Sequence, residues 1–382
     1  MLKVSFVSPM DIKYSYSGTE WHVYEYAKYF VECGVKTEIL VTQIDKKIKH
    51  VYNYKMVGRR YAAVPKRNIM CIRMVLPLRY HLFIYRGLPS DSIIYLPFSI
   101  YDYILNIATK PKGQKYVIGC HGMHLKHGHI VLNHNKAEKA LNAIVRIFLS
   151  VSEKKNVYYH VVNSGQIEYL TRQFGIPKRN ILYVPPMVDI TPLKISANKS
   201  RRLRVLHIGG ADKDSQIILE AISKLAESNL LDNFEFYFIG AKQPKLIDTL
   251  ESRYKNVHNI GLISDKRKFR VIPTMDVLMV PAYETFSKIL IEGLAGGLHI
   301  LTSTRNAAAS DFVRLGVKMT ITDGTTAGYV KQLIRMSRLK KRKGLKFNVY
   351  KKFNRGIVIK EFDKNVVLPK ILDMFDRVNA AD

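Results

Sequence analysis

The sequence predicts an α/β protein built from two Rossmann-like domains that face each other across a central cleft. Three observations support this prediction. Strand-like and helix-like segments alternate in both halves of the chain, a segment rich in proline, serine and asparagine separates the halves, and 382 residues exceed one ordinary core. Single hydrophobic cores rarely grow past about 250 to 300 residues. Two domains are therefore expected.

The first half opens with a β-loop-α-β pattern. KVSFVSP (3–9) is typical of a buried strand, apolar residues follow at helical spacing from Val23 to Val31, and TEILVTQ (37–43) is the next strand. Such a unit begins a parallel sheet. Further strands are predicted at 92–98, 115–121 and 158–164, and a helix is predicted at 137–151.

The second half repeats the alternation after PPMVDITPLKISANKS (185–200), which we interpret as a linker. A helix is predicted over 217–225, and strands are predicted at 202–210, 234–241, 276–282 and 298–303. The predicted boundaries are 1–185 for the first domain, 186–200 for the linker, 201–355 for the second domain, and 356–382 for a C-terminal helical segment that packs back on the first domain.

The net charge of +30 is unevenly distributed along the chain. Residues 46–90 contain eleven Lys and Arg residues, residues 331–360 contain twelve, and neither stretch contains Asp or Glu. Together they account for +23 of the net charge. This excess predicts anionic partners: lipid headgroups, nucleic acid or a phosphorylated substrate.

The two basic stretches differ in pattern. Residues 66–88 interleave arginines with large apolar residues, which suits either a segment lying on an anionic membrane or a solvated face over an ordinary core. Residues 337–352 are more polar, and there a solvated charge run is favoured.

Location is predicted from cysteine usage and from apolar runs. Cys33, Cys71 and Cys120 are widely spaced and fit neither a disulfide framework nor a zinc ribbon, which predicts a reducing cytoplasm. The N-terminus resembles a first strand more than a signal peptide. No apolar run reaches the roughly 18 residues of a membrane span, so the protein is expected in the cytoplasm or on the inner membrane face.

Two carboxylates stand eight positions apart in ETFSKILIEGLAGG (284–297), at Glu284 and Glu292. On a continuous helix they would be about 12 Å apart. The two carboxylates of a glycoside hydrolase are closer, about 5 to 10 Å apart. The larger separation suits holding both ends of one elongated ligand, such as a nucleotide-sugar.

The same stretch resembles the E-x-F-G-x(4)-E-A-x-A-x-G motif of the retaining glycosyltransferases of family 4, which have the two-Rossmann-domain GT-B architecture. Glu284, Phe286, Glu292 and Gly297 carry this resemblance. It extends over most of the chain, through Ser17-Gly18-Thr19-Glu20, His121, Asn163-Ser164, Val188-Asp189, Lys213, Leu219-Glu220-Ala221 and Gly240.

The resemblance implies an acceptor-binding first domain and a donor-binding second domain. It implies that Glu284 binds hydroxyls of the donor sugar, that Glu292 binds the ribose, and that Lys213 neutralises the departing diphosphate. His121 would lie near the transferred sugar, so the implied catalytic residues are His121, Lys213 and Glu284. The implied donor-binding residues are Gly18, Thr19, Gly209, Gly210, Gly240, Thr285, Phe286, Ser287, Lys288 and Glu292. No metal or other cofactor is expected.

This chain departs from the family pattern at several positions. Gly210 stands where an arginine usually follows the glycine, so the diphosphate assignment depends on Lys213. Ser17 and Ser287 replace glycines, and Pro186-Met187 replaces the usual Asn-Gly.

Two motifs resemble metal sites. The histidine-rich run HGMHLKHGH (121–129) matches no usual zinc spacing. Asp212-Lys213-Asp214 is formally D-x-D, but it follows a glycine pair after a strand and is interpreted as loop polarity.

The predicted function is retaining transfer of a hexose from a nucleotide diphosphate sugar to a hydroxyl acceptor, in a lipid-linked or other cell-envelope glycan. The alternative is a nucleic-acid-binding protein, or a glycosyltransferase that modifies DNA, with the basic stretches contacting phosphates. Neither an RRM or KH signature nor a clear base-stacking pattern supports that alternative.

Overall fold

The structure is a computed structural model, and in it the chain forms two compact units. The first comprises Met1–Met123, Gly128–Pro186 and Val367–Asp382, and the second comprises His124–His127 and Met187–Val366. The structure describes residues 2–8, 18–41, 52–57, 60–65, 69–73, 81–85, 91–97, 113–120, 125–126, 129–130, 156–195, 200–209, 215–240, 244–281, 286–343 and 349–381.

The described strands before the second unit's sheet are β1 (Lys3–Ser8), β2 (Lys36–Val41), β3 (Tyr52–Val57), β4 (Arg60–Pro65), β5 (Ile69–Arg73), β6 (His81–Tyr85), β7 (Ile93–Leu96), β8 (Tyr116–Gly119), β9 (Leu125–Lys126), β10 (His129–Ile130), β11 (Val157–Val161) and β12 (Ile181–Tyr183). Eight of them form one sheet in the order β12-β11-β8-β7-β1-β2-β3-β4. Its strands are parallel from β12 to β2, and β3 and β4 extend it antiparallel.

The second sheet contains β13 (Leu203–Ile208), β14 (Phe234–Ile239), β15 (Val257–Gly261), β16 (Val277–Val280), β17 (His299–Ser303) and β18 (Thr320–Thr322). Their order is β15-β14-β13-β16-β17-β18, and every neighbouring pair is parallel. All six strands therefore end at the same edge, called here the carboxyl edge.

The described helices are α1 (Gly18–Glu32), α2 (Ser164–Phe174), α3 (Ser215–Glu227), α4 (Pro244–Arg253), α5 (Asp265–Val271), α6 (Lys288–Ala295), α7 (Ala309–Arg314), α8 (Thr326–Lys343), α9 (Lys351–Phe362) and α10 (Lys364–Ala380). None of the helices in these described ranges has the length and apolarity needed to cross a bilayer.

The core of the first unit is aromatic. The ring of Phe6 on β1 lies 5.5 Å from the ring of Phe30 on α1 and 5.5 Å from that of Tyr95 on β7. Phe375, on the C-terminal helix α10, completes the cluster at 5.2 Å from Phe30. Edge-to-face contacts of this kind add to the burial of the rings. The last turns of the chain thus belong to the first unit.

The second sheet has a separate hydrophobic core on each face because strand side chains alternate between faces. Leu206 and Ile208 pack in one core with α6, α7 and α9. Leu203 and Val205 pack in the other core with α3 and α8. The helices α6 and α8 therefore cover opposite faces of the same sheet.

The predicted α/β class with two parallel sheets is confirmed, and most predicted strands lie within about two residues of the observed ones. The strand predicted at 158–164 ends at Val161, because Asn163 caps α2. The helix predicted at 137–151 lies outside the described residues. The antiparallel strands β3 to β6 were not predicted, since the basic stretch that contains them was analysed for charge. The first unit's segment Gly128–Pro186 ends at the start of the predicted linker. Three residues of that linker, Val188, Ile190 and Leu193, are buried in the core of the second unit.

Candidate functional site

Glycine loops line the carboxyl edge of the second sheet. Gly209 follows β13 with φ 142° and Gly240 follows β14 with φ 76°, both in a region that favours glycine. The amide of Gly209 donates to the carbonyl of Ile239 at 3.0 Å, and the amide of Gly240 donates to that of Gly261 at 2.9 Å. The ends of β13, β14 and β15 therefore lie side by side, and because glycine has no side chain a ligand can approach the backbone there closely.

Helix α6 begins at this edge, after β16. Ser287 is its N-cap and Lys288 its first residue. The first amides of a helix have no intrahelical acceptor and carry partial positive charge, which favours an anion. The Ser287 hydroxyl is buried and finds no hydrogen-bond partner within the described part of the chain. The predicted donor-binding segment thus includes the start of a helix. The Ser287 hydroxyl there has no hydrogen-bond partner among the described residues.

Phe286 turns its side chain away from this helix start. Its ring lies 5.4 Å from the ring of Phe312 and 5.6 Å from that of Phe362, within the core under α6. The packed ring of Phe286 therefore holds the chain in position where α6 begins. Its backbone, and not its side chain, is available to contact a ligand.

Glu292 lies about one turn further along α6 and is fully buried. The ammonium of Lys268, on α5, lies 3.0 Å from Oε1 and 2.9 Å from Oε2. The Lys288 ammonium lies 3.7 Å from Oε1, and Asp265 lies 2.8 Å from Lys268. Two lysines and two carboxylates thus form one cluster beside the start of α6.

Oε2 of Glu292 lies 2.9 Å from the Lys268 ammonium in the ion pair, and no further donor reaches it from the residues that the structure describes. An ionised carboxylate oxygen can accept more than one hydrogen bond, so a ligand hydroxyl would have a place to donate.

Burial and charge act in opposite directions on the two lysines. Burial would lower the pKa of Lys268, but the carboxylates of Glu292 and Asp265 outweigh it and raise that pKa. Burial lowers the pKa of Lys288, and the adjacent Lys268 lowers it further, although Glu292 opposes both. The carboxylates therefore favour the charged form of Lys268, while burial and Lys268 together disfavour the charged form of Lys288.

Several predicted residues lie elsewhere. Gly18 and Thr19 begin α1 in the first unit, after β1. His121, Gly210, Lys213, Glu284 and Thr285 lie outside the described residues. The structure thus brings together Gly209, Gly240, Ser287, Lys288 and Glu292 at one edge of the second sheet.

The loop that precedes His121 is held by Gln166. Its side-chain amide donates to the carbonyl of Cys120 at 2.7 Å, and its Oε1 accepts from the amide of Val162 at 2.8 Å. Gln166 also forms a capping box with Asn163, the N-cap of α2. The Asn163-Ser164 pair noted in the sequence therefore starts a helix and ties β8 to β11.

Lys268 was missed by sequence reasoning. It is separated from Glu292 by 24 positions, and no short motif connects them. The available signal was the spacing of Lys288 and Glu292, which favours an ion pair on one helix. Across the described residues, no group of three or more His, Cys, Asp or Glu side chains is arranged to hold a metal.

Comparisons with known proteins bear on the family and on the fold. Residues 16–191 match the family model described as Glycosyltransferase Family 4. Over these residues the chain is similar to the family 4 glycosyltransferases. The predicted family and enzyme class are thereby confirmed. Comparison with curated protein sequences finds no match.

Solved structures share the fold of this glycosyltransferase along nearly its whole length. A glycosyltransferase from Rickettsia africae ESF-5 is 16% identical with a TM-score of 0.66, covering 100% of this chain and 99% of its own. Anabaena Alr3699/HepE, in complex with UDP and glucose, is 12% identical with a TM-score of 0.63, covering 98% and 100%. WaaG, a glycosyltransferase involved in lipopolysaccharide biosynthesis, is 14% identical with a TM-score of 0.59, covering 99% and 100%. Neither the family match nor these neighbours support the nucleic-acid alternative.

Proposed function

We propose that this glycosyltransferase transfers a hexose, with retention of anomeric configuration, from a nucleotide diphosphate sugar to a hydroxyl of a lipid-linked or other cell-envelope glycan. The observation that carries the proposal is the state of Glu292. Its carboxylate is buried at the carboxyl edge, is paired with Lys268 through both oxygens, and receives no further donor at Oε2 from the described residues. A vicinal diol such as that of ribose supplies such donors.

The charges around Glu292 suit the middle of the same ligand. Lys288 and the first amides of α6 provide positive potential beside the glycine loops, where a diphosphate would lie. Lys213, predicted in the loop after β13, would add a cation there. The arginine that usually provides one is replaced by Gly210 in this chain. Fixed positive groups stabilise a leaving diphosphate more in the transition state than in the ground state.

The remaining assignments extend the family resemblance. Glu284 would bind hydroxyls of the donor sugar, and His121 would lie near the transferred sugar. Retention and independence of metal follow the same resemblance. The involvement of WaaG in lipopolysaccharide biosynthesis supports a cell-envelope acceptor. The proposed site of action is the cytoplasm, at the inner membrane face.

Nucleotide binding tests the proposal directly. We expect one nucleoside diphosphate among UDP, GDP, ADP and dTDP, and its sugar conjugates, to raise the melting temperature without added metal. A ligand bound only by the native state stabilises by mass action, about 2.7 kcal/mol at 100 times its dissociation constant. If none of them changes the melting temperature or binds in calorimetry, the donor assignment is wrong.

Glu284→Gln tests the predicted catalytic end of the donor. We expect this variant to retain its fold and nucleotide binding while donor hydrolysis and transfer fall by at least about tenfold, because a charged hydrogen bond to the sugar is lost. Turnover equal to that of the wild type would remove Glu284 from the site.

A further inference from the structure

Exposed apolar side chains concentrate around the first turns of α9. Seven large hydrophobic residues in the described ranges are exposed, and four of them fall between 349 and 359: Val349, Tyr350, Phe353 and Ile359. Phe353 is 53% exposed and Val349 is 61% exposed. Single exposed hydrophobic residues are ordinary, whereas a local group marks an interaction surface.

Helix α9 has two distinct sides. Asn354, Val358 and Phe362 are buried on the side that faces α6. The exposed residues of α9 are Lys352, Phe353, Gly356, Ile359 and Lys360, and none of them is acidic. At 100° per residue these positions lie on the outward half of the helix. Its outer face therefore combines large apolar groups with cations only.

The exposure of this face does not come from loose packing of the helix. The side chain of Asn354 accepts from the amide of Lys318 at 2.9 Å and donates to its carbonyl at 2.9 Å. The guanidinium of Arg355 donates to the carbonyl of Ala295, at the end of α6. These bonds hold the first turns of α9 firmly, and they bring exposed Lys318 beside them.

We propose that the α9 patch, defined as Val349, Tyr350, Lys352, Phe353, Ile359 and Lys360, docks on an anionic lipid bilayer. Apolar side chains would enter the boundary between headgroups and acyl chains, and the lysines would contact anionic headgroups. Charge complementarity favours this occupant, because residues 349–360 contain four Lys and Arg residues and no Asp or Glu. The inference does not depend on the donor assignment.

Docking through α9 would orient the donor side of the second unit. The start of α9 contacts the end of α6 through Arg355 and Ala295, and the end of α9 contacts Phe286, just before α6, through Phe362. The two helices therefore run antiparallel. A bilayer along α9 would hold α6 roughly parallel to its surface, with the carboxyl edge facing along the membrane plane.

Vesicle sedimentation tests the α9 patch. The full-length protein is mixed with vesicles of phosphatidylcholine, with and without phosphatidylglycerol, and bound protein is measured against salt. We expect binding to the anionic vesicles, and we expect Phe353→Ser combined with Ile359→Ser to weaken it by about tenfold or more. Lys352→Gln combined with Lys360→Gln should weaken it by a few fold and reduce its salt dependence.

Matched controls separate this surface from general stickiness and charge. Leu262→Ser removes a side chain that is 89% exposed directly after β15. Arg335→Gln with Arg338→Gln removes two exposed cations of α8, on the other face of the sheet. Both controls should bind anionic vesicles as the wild type does. The substituted residues are exposed, so circular dichroism and melting temperature should be unchanged for all variants.

Three results would overturn the proposal. The first is absence of wild-type binding to anionic vesicles. The second is equal binding by the Phe353→Ser, Ile359→Ser variant, which would move the membrane contact to another segment such as 46–90. The third is self-association in light scattering that the same variant abolishes without any effect on vesicles, which would assign the patch to a second copy of the chain.

Discussion

Two buried lysine–carboxylate pairs lie in the second unit, and they differ in how completely their polar atoms are satisfied. Lys340 donates to Asp276 and, at 2.8 Å, to the carbonyl of Arg202. Asp276 also accepts from the amide of Arg204 at 2.9 Å. The pair joins α8 to the edge where β13 and β16 begin.

The pair of Lys268 and Glu292 lies near the opposite edge, where the strands end. There Oε2 of Glu292 and the hydroxyl of Ser287 lack directed hydrogen bonds from the described residues, and a second lysine, Lys288, lies beside the pair. The first pair is completed by the protein and holds elements together. We propose that the second pair, which can accept further hydrogen bonds, binds a ligand.

Lys340→Met should give the largest effect on stability. It leaves the Asp276 carboxylate buried beside a thioether, and removing one partner of a buried ion pair costs about 3 to 5 kcal/mol. Urea unfolding near neutral pH measures the loss. The control is Lys341→Met, at a neighbouring exposed lysine, for which we expect little change. A loss below about 1 kcal/mol would show that the Lys340–Asp276 pair contributes little to the stability of the fold.

Acidification should lower the free energy of unfolding through His299, which lies near the Lys340–Asp276 pair. His299, whose amide donates to the carbonyl of Asp276 at 2.9 Å, has its pKa lowered by burial to about 4. As the pH falls below 6.5, His299 is protonated in the unfolded chain before it is protonated in the folded protein. The free energy of unfolding is therefore unaffected by His299 above pH 6.5 and decreases as the pH falls towards 4. We expect a loss of about 2 to 3 kcal/mol from this residue over that interval.

Urea unfolding of the wild type and of His299→Gln across this pH range measures the contribution of His299. The burial that lowers the pKa of His160 to about 4 acts in the first unit and remains in both proteins, so only the difference between them is assigned to His299. Equal pH dependence of the two proteins would contradict the prediction.

Glu292→Gln should affect binding more than folding, unlike Lys340→Met. Lys268 keeps Asp265 at 2.8 Å, so the cation retains a partner and the free energy of unfolding should change little. Nucleotide affinity should fall about tenfold to a hundredfold, because a hydrogen bond to a charged group contributes about 1.5 to 3 kcal/mol. Calorimetry with the nucleotide that gives the largest thermal shift measures it. Unchanged affinity would make this pair structural as well.

Lys288→Gln should give the smallest effect, a weakening of nucleotide binding by about threefold to tenfold from loss of a partly screened charge. Burial and Lys268 lower the pKa of Lys288, so its charge is lost at lower pH than for an ordinary lysine. Wild-type affinity should therefore fall as pH rises through that range, and Lys288→Arg should keep its affinity there. Parallel pH profiles for the two proteins would remove Lys288 from the diphosphate site.

The sequence predicted the strands because buried parallel strands are short apolar runs whose character does not depend on distant residues. KVSFVSP and DVLMVPA both became central strands. The start of α6 was also predicted, since Glu284, Phe286, Glu292 and Gly297 form a local pattern. The antiparallel strands β3 to β6 were not predicted, since eleven Lys and Arg residues between 46 and 90 interrupt the apolar runs and segments such as YNYKMV alternate only weakly.

By itself, then, the sequence determined the fold class, the family and the position of Glu292 on its helix, because each depends on residues close together in the chain. Only the tertiary structure decided that Lys268 is the partner of Glu292, that Phe286 packs into the core, and that Phe353 stays outside it. Those outcomes depend on which helix faces pack against the sheet, and packing joins residues whose separation in sequence carries no signal.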